Sequence, residues 1–300
     1  MRIAVPLTVL FLLSVSCARH DGQGAEGVSL PRYGGVQSEV VTYSPEDWPT
    51  ELRADLHYPE ARGPHPAVLV VHGGGWERRS REDMTRIARR LARRGFVVMN
   101  VDHRFAPQFR FPAQLHDLQV AMHWLHDQAE ELDLLPDGIG ALGFSSGGHL
   151  VSLLAVVAGQ GGELDTPHGG IRTRPAAVVA GGAPTDLRKY PGGTLVPQFL
   201  GGTQEEMPGK FTVASPVTHV HEKVPPFFFF HGGRDTLVPA DHATDMIAAL
   251  EQKGVHAELY LMRLRGHVSS FLTSRWAIEE GARFLRAHTV SDDTAGATTE

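Results

Sequence analysis

Apolar residues along the chain fall into two alternating patterns. Short apolar runs at 67–71, 96–101, 138–144, 176–180, 227–230 and 257–262 read as strands, and 54–58 reads as a further one. Between them lie longer stretches whose apolar positions recur three and four apart: 80–94, closed by Gly95; 113–130, beginning after Pro112; 147–158; 240–253; and 269–287. These read as helices. Strands alternating with helices of this length predict an α/β fold with a parallel sheet. Runs that are apolar throughout predict a sheet covered on both faces. Right-handed crossovers then bring the C-terminal ends of the strands to one edge, the edge where open α/β sheets bind ligands.

The two ends of the chain depart from this pattern. Behind Met1-Arg2, residues 3–15 are apolar apart from Pro6, Thr8 and Ser14. Such a run is too short for a membrane span and has the length of a signal-peptide core, so 1–16 read as a signal peptide. Cys17, the single cysteine, follows Ser14-Val15-Ser16. That arrangement resembles a bacterial lipobox, with Ser14 where leucine is usual, and makes Cys17 a candidate for lipidation and a membrane tether. Secretion with cleavage nearby is the alternative, and both readings export the chain, to the periplasm, the cell envelope or the outside. Residues 17–35, rich in glycine and polar groups, read as a tether, and 289–300 as a disordered tail. No repeat or composition break divides 36–288, which reads as one domain.

Composition narrows the partners. A chain of 300 residues, 42% apolar and 21% charged, suits one large soluble domain. A net charge of −6 gives no reason to expect nucleic acid. The arginines from Arg78 to Arg94 alternate with Met84, Ile87, Ala88 and Leu91, the pattern of one helix's solvated face. No metal-binding signature occurs and no cofactor is implied.

The candidate chemistry lies at the ends of the predicted strands. Gly143-Phe144-Ser145-Ser146-Gly147 joins a strand to a helix, the G-x-S-x-G of a nucleophile elbow, with Ser145 at its apex. Ser146 is a rival nucleophile by adjacency, but the register assigns it a backbone role. His72-Gly73-Gly74-Gly75-Trp76 follows the strand at 67–71. A developing oxyanion needs converging N–H donors, and glycines let a backbone come close to a ligand. Gly74, Gly75 and the N–H of Ser146 are the candidate donors. The strand at 227–230 leads to Asp235, the candidate acid, with Asp241 a weaker competitor. His267 is the histidine between the last strand and the last helix, and so the candidate base. His72 reads as a structural hydrogen-bonder of the glycine loop, and His149 as packed or exposed. Asp102, Arg104 and Asp117 read as a structural charge network below the site.

With these residues in place, the chain resembles the α/β-hydrolase fold from about residue 54 to 288, and within it the esterase and lipase group that carries HGGGW. Asp102-His103-Arg104-Phe105-Ala106-Pro107 and Phe111-Pro112-Ala113 through Asp117 carry the resemblance further. So do Ala183-Pro184-Thr185-Asp186-Leu187, Ser215-Pro216 and Pro225-Pro226. The nearest likeness is to small secreted carboxylesterases of the feruloyl-esterase and acetyl-esterase type, related to the hormone-sensitive-lipase group. It implies a triad of Ser145, Asp235 and His267, oxyanion donors from the glycine loop, and a small-molecule or polysaccharide-linked ester as substrate. His103 stands where that group has tyrosine. Residues 43–47 and 48–49 read as strand and turn instead of cap helices, so the N-terminal cap is expected to be small or absent. The segment 188–211 is expected to be a loop-rich lid over the acyl pocket. An amidase or peptidase on the same fold, or an inactive surface-binding scaffold, are the competing readings.

Overall fold

The computed structural model describes residues 18–290 apart from 23 and 26. The predicted signal peptide, Cys17 and the end of the chain from 291 lie outside the described residues. Strands β1 (Arg19–Asp21), β2 (Val36–Thr42), β3 (Arg53–Pro59), β4 (His65–Val71), β5 (Val97–Val101), β6 (Leu134–Phe144), β7 (Val178–Gly181), β8 (Phe227–Gly232) and β9 (Ala257–Met262) form one sheet, in the order β1-β9-β8-β7-β6-β4-β5-β3-β2. From β5 across to β9 every pairing is parallel; β1, β2 and β3 pair antiparallel at the two sides. The helices are α1 (Thr85–Ala92), α2 (Ala113–Asp127), α3 (Ser146–Val157), α4 (Leu195–Leu200), α5 (Pro208–Val213), α6 (Asp241–Gln252), α7 (His267–Leu272) and α8 (Arg275–Thr289). This is the α/β-hydrolase architecture the sequence predicts.

The apolar strands are buried on both faces because side chains alternate across a strand. Val68 and Val70 of β4, with Phe228 and Phe230 of β8, pack on one face with Ile87 and Leu91 of α1 and Ile278 and Leu285 of α8. Leu69, Val71, Phe227 and Phe229 point the other way, toward Leu115 of α2, Leu150 of α3 and Met246 of α6. Each fully buried phenylalanine contributes about 1.5–3 kcal/mol of transfer free energy. The four consecutive phenylalanines of β8 therefore fasten both helical layers to the strand that leads to Asp235.

Several boundaries differ from the sequence reading, each for a local reason. The helix expected over 80–94 opens as a 3₁₀ turn, Arg81–Met84, because Arg81 is held at the sheet edge by Asp55 (2.8 Å) and Asp102. The helix expected over 269–287 is two helices. The Ser269 carbonyl accepts both the Thr273 N–H (3.1 Å) and its hydroxyl (2.6 Å), and the Ser274 N–H turns to the Phe271 carbonyl (3.3 Å), a tighter turn that leaves the α-helical ladder. β2 escaped the pattern because it is an outer strand with little burial, and residues 43–47, expected to be a strand, form turns. No α-helix precedes β4 among the described residues, consistent with a reduced N-terminal cap.

Two expectations need correction. The segment 17–35 is not simply a tether. Its residues 19–21 pair with β9, His20 meets Glu258 (2.7 Å), and the Tyr33 N–H donates to the Arg93 carbonyl (2.9 Å). Short, mostly polar pieces of this kind give no periodic signal. The segment 188–211 is not loop-rich throughout. It contains α4 and the start of α5, and Phe199, Leu200 and Phe211 are fully buried.

Candidate active site

β6 ends at Phe144, Ser145 turns the chain, and α3 starts at Ser146. Ser145 has φ 56° and ψ −123°, a conformation that costs a non-glycine residue about 1–3 kcal/mol. The turn is pinned by its own backbone. The Ser145 N–H donates to the Gly181 carbonyl (2.7 Å), and its carbonyl accepts from the His149 N–H (2.9 Å). The flanking glycines are required by space. A Cβ on Gly147 would lie 2.3 Å from the Val71 carbonyl oxygen, and one on Gly143 would lie 2.3 Å from that of Gly147.

The loop after β9 delivers His267 to this serine. His267 Nε2 stands 2.9 Å from Ser145 Oγ, and its Nδ1 stands 2.6 Å from Asp235 Oδ2. A carboxylate can only accept, so Nδ1 carries the hydrogen, and Nε2 is left to accept from the serine hydroxyl. The imidazole also rests against the Phe144 ring, 5.0 Å between centroids. Asp235 is anchored on its other oxygen by the N–H groups of Leu237 (3.0 Å) and Val238 (2.8 Å). Burial pushes its carboxyl up, but the bonds from His267 and Val238 outweigh that and hold it below the ordinary carboxylate value. Asp241, the competitor, is exposed and paired with Lys189 (3.0 Å). Ser146 Oγ is buried with no hydrogen-bond partner among the described residues, so no base activates it.

The glycine loop passes beside Ser145: a Cβ on Gly73 would lie 3.1 Å from Ser145 Cβ. Gly74 (φ 128°) and Gly75 (φ 66°) adopt left-handed conformations, and no acceptor among the described residues takes their N–H groups. Ser146 opens α3, so its N–H belongs to the unpaired first turn. The three predicted donors are thus unpaired groups around one serine. Leu195 of α4 lies over Gly75, 3.1 Å from where a Cβ would sit.

Three supports of this arrangement were not foreseen as such. His149, one helical turn after Ser145, is fully buried, accepts from Trp76 Nε1 (3.2 Å) and meets the Ala214 carbonyl through Nε2 (2.7 Å). It therefore ties the glycine loop to α3 and to the segment after α5. Burial lowers its pKa to about 4. His103, the departure from the usual tyrosine, stacks on His72 at 4.5 Å, and burial, then the neighbouring His72, lower its pKa to about 3. His231, on β8, meets the Val238 carbonyl (2.8 Å) and lies 3.7 Å from Asp235 Oδ2. The signal for all three is a histidine at the end of an apolar strand or one turn past the elbow; only a register of the elements distinguishes it from an ordinary surface histidine. The expected network of Asp102, Arg104 and Asp117 divides into two. Arg104 pairs with the buried Asp117 (2.7 Å), whereas Asp102 pairs with Arg81.

Among the described residues no group of histidine, cysteine and carboxylate side chains could hold a metal. A cavity of about 520 Å³ lined by His126, Ile139, Arg172, Ala176 and Pro225 lies at the opposite edge of the sheet, where β6 and β7 begin, and is separate from these groups.

The BD-FAE family profile matches residues 54–250. The chain is 29% identical over 195 residues to esterase LipC of Mycobacterium tuberculosis, covering 62% of this chain and 48% of that protein. It is 25% identical over 234 residues to esterase LipQ of the same organism, covering 73% and 55%. The chain thus spans about half the length of the curated relatives it matches. Among solved structures, a truncated carbohydrate esterase from gut microbiota superposes with a TM-score of 0.75 at 22% identity, over 88% of this chain and 100% of that one.

Proposed function

Because the chain belongs to the BD-FAE family, we propose that it is a serine carboxylesterase that opens small acyl esters through Ser145, His267 and Asp235. The observation that carries this reading is the unbroken hydrogen-bonded line from Asp235 through His267 to Ser145, with unpaired N–H groups beside it. The names of its relatives and structural neighbours, which are esterases, point the same way.

The chemistry follows from which atoms face each other. As Ser145 Oγ bonds to the ester carbonyl carbon, its proton passes to His267 Nε2. The carbonyl oxygen becomes an anion, stabilised by the N–H groups of Gly74, Gly75 and Ser146. The ester C–O bond then breaks, and the leaving alkoxide takes the proton from His267. Water repeats the sequence on the acyl-enzyme and releases the acid and the free serine. Asp235 remains ionised throughout, orienting the imidazole and stabilising it while it is charged. Leu195 over Gly75 narrows the space beside the donors, which favours acetyl-sized acyl groups. Export by residues 1–16 and anchorage through Cys17 complete the proposal and place the substrate outside the cytoplasm, with an acetylated or feruloylated polysaccharide as one class. Mass analysis of the mature N-terminus tests the anchor: a diacylglyceryl-modified Cys17 is expected, and an unmodified cleaved terminus would contradict it.

The test of the activity is a comparison of p-nitrophenyl acetate with an aminoacyl-p-nitroanilide. Turnover of the ester with negligible anilide cleavage is expected. Preference for the anilide would make the protein an amidase on the same scaffold, and no turnover of either would favour an inactive binding protein.

A further inference from the structure

Four large apolar side chains stand exposed along one segment beside the site: Leu264 (56%), Val268 (66%), Leu272 (59%) and Trp276 (63%). They recur every four residues, from the loop after β9, through α7, to the first turn of α8. His267 lies between the first two, so the row borders the triad. The stretch 259–278 contains Arg263, Arg265 and Arg275 and no carboxylate, in a chain of net charge −6. Arg275 lies over the Trp276 ring, 5.4 Å from its centre, and Arg86 of α1 reaches the Leu272 carbonyl (3.1 Å). An apolar row with a cationic margin is the pattern of a surface that meets something else.

The start of the chain points to what it meets. β1 runs antiparallel to β9, with Arg19 opposite Leu261 and Asp21 opposite Leu259. β9 runs toward the loop that carries Leu264 and His267, so the antiparallel pairing brings the N-terminal end of β1 to that same edge. The apolar run 3–15 and Cys17 precede β1 directly in sequence.

We propose that this face docks on an anionic lipid bilayer. Leu264, Val268, Leu272 and Trp276 enter the headgroup layer, where tryptophan and leucine are favoured on interfacial surfaces. Arg86, Arg263, Arg265 and Arg275 meet lipid phosphates. The catalytic edge then faces the membrane, and esters held at the envelope surface reach Ser145 without crossing the aqueous side. Attachment through Cys17 would add to this contact, but the contact does not require it.

Vesicle sedimentation of the full chain carrying Cys17→Ser tests the surface apart from any lipid on that residue. The probes are phosphatidylglycerol vesicles and phosphatidylcholine vesicles. Stronger partitioning to phosphatidylglycerol is expected, weakening as salt is raised. Adding Leu272→Asp with Trp276→Asp should lower partitioning by about tenfold or more, since two apolar side chains no longer gain by leaving water. Hydrolysis of soluble p-nitrophenyl acetate should be unchanged by that pair. Arg263→Glu with Arg265→Glu should weaken binding to phosphatidylglycerol selectively and leaves the apolar row intact. Equal partitioning of all these chains would overturn the proposal. So would a concentration-dependent dimer, seen by analytical ultracentrifugation and dissolved by the Leu272 and Trp276 changes, since a second copy would then be the occupant of this face.

Discussion

Replacing His149 by leucine should destabilise the protein and slow it, and the structure sets both magnitudes. The indole of Trp76 can only donate, so His149 Nδ1 must accept, and Nε2–H donates to the Ala214 carbonyl. Leucine keeps the apolar bulk but strands a buried donor and a buried acceptor. Each stranded group costs about 1–3 kcal/mol, so urea unfolding followed by circular dichroism should show a loss of about 2–6 kcal/mol. Trp76 belongs to the loop that carries Gly74 and Gly75, so kcat for p-nitrophenyl acetate should fall while KM changes little, as for donors that act on the transition state. The same residue gives a pH signature. Its folded pKa, lowered to about 4 by burial, lies below the unfolded value of about 6.5. Its stabilisation is therefore fully present above pH ~6.5 and is lost as pH falls toward about 4, at most about 3 kcal/mol over that window. The leucine variant should lose less stability than the parent between those pH values. A variant as stable as the parent, with unchanged kcat and the same pH slope, would refute the bridging role.

Asp235→Asn should lower kcat by about 10³–10⁴-fold with the fold intact, because an amide cannot hold His267 in the tautomer that accepts from Ser145; steady-state kinetics beside a circular dichroism spectrum decides it. In the parent, the lowered carboxyl pKa of Asp235 keeps its stabilising bonds intact above the unfolded value of ~3.9, to be lost only as pH falls below that through the folded pKa. Asp241→Asn, at the exposed competitor, should leave kcat within about twofold, as expected of a surface change outside the hydrogen-bonded line of Asp235, His267 and Ser145. Gly147→Ala should abolish soluble expression or turnover, since its Cβ would meet the Val71 and His72 carbonyls at 2.3 and 2.4 Å; a fully active alanine variant would contradict the tight elbow. Leu195→Ala should shift preference toward longer acyl chains in a p-nitrophenyl ester series, and an unchanged profile would remove Leu195 from the acyl pocket.

Much of this was legible in the chain because the signals were local. The Gly-x-Ser-x-Gly turn, the glycine run after β4 and the aspartate after β8 each sit where an apolar strand stops, so their position follows from periodicity. Gly74 and Gly75, Ser145, Asp235 and His267 come from four separate loops, yet all follow strands that end at one edge. What was not legible depends on tertiary contact. Nothing in the pattern around His149 distinguishes a bridge to Trp76 and Ala214 from an ordinary packed residue. The folding of Arg19–Asp21 onto β9 depends on a partner more than two hundred positions away, in a stretch too short and polar to show a period. At the break between α7 and α8 the Ser269 carbonyl takes both the hydroxyl and the N–H of Thr273, and the Ser274 N–H turns to the Phe271 carbonyl, local pairings that helix propensity alone does not weigh.

The central claim is that Ser145 is a nucleophile made reactive by His267. Incubation with paraoxon, followed by intact mass and peptide mapping, tests it most directly, because a serine activated by a neighbouring base attacks the phosphorus and keeps the phosphoryl group. One diethylphosphoryl group on Ser145 is predicted, absent in Ser145→Ala and formed far more slowly in His267→Ala. An unlabelled parent, or a phosphoryl group on any other residue, would contradict the account.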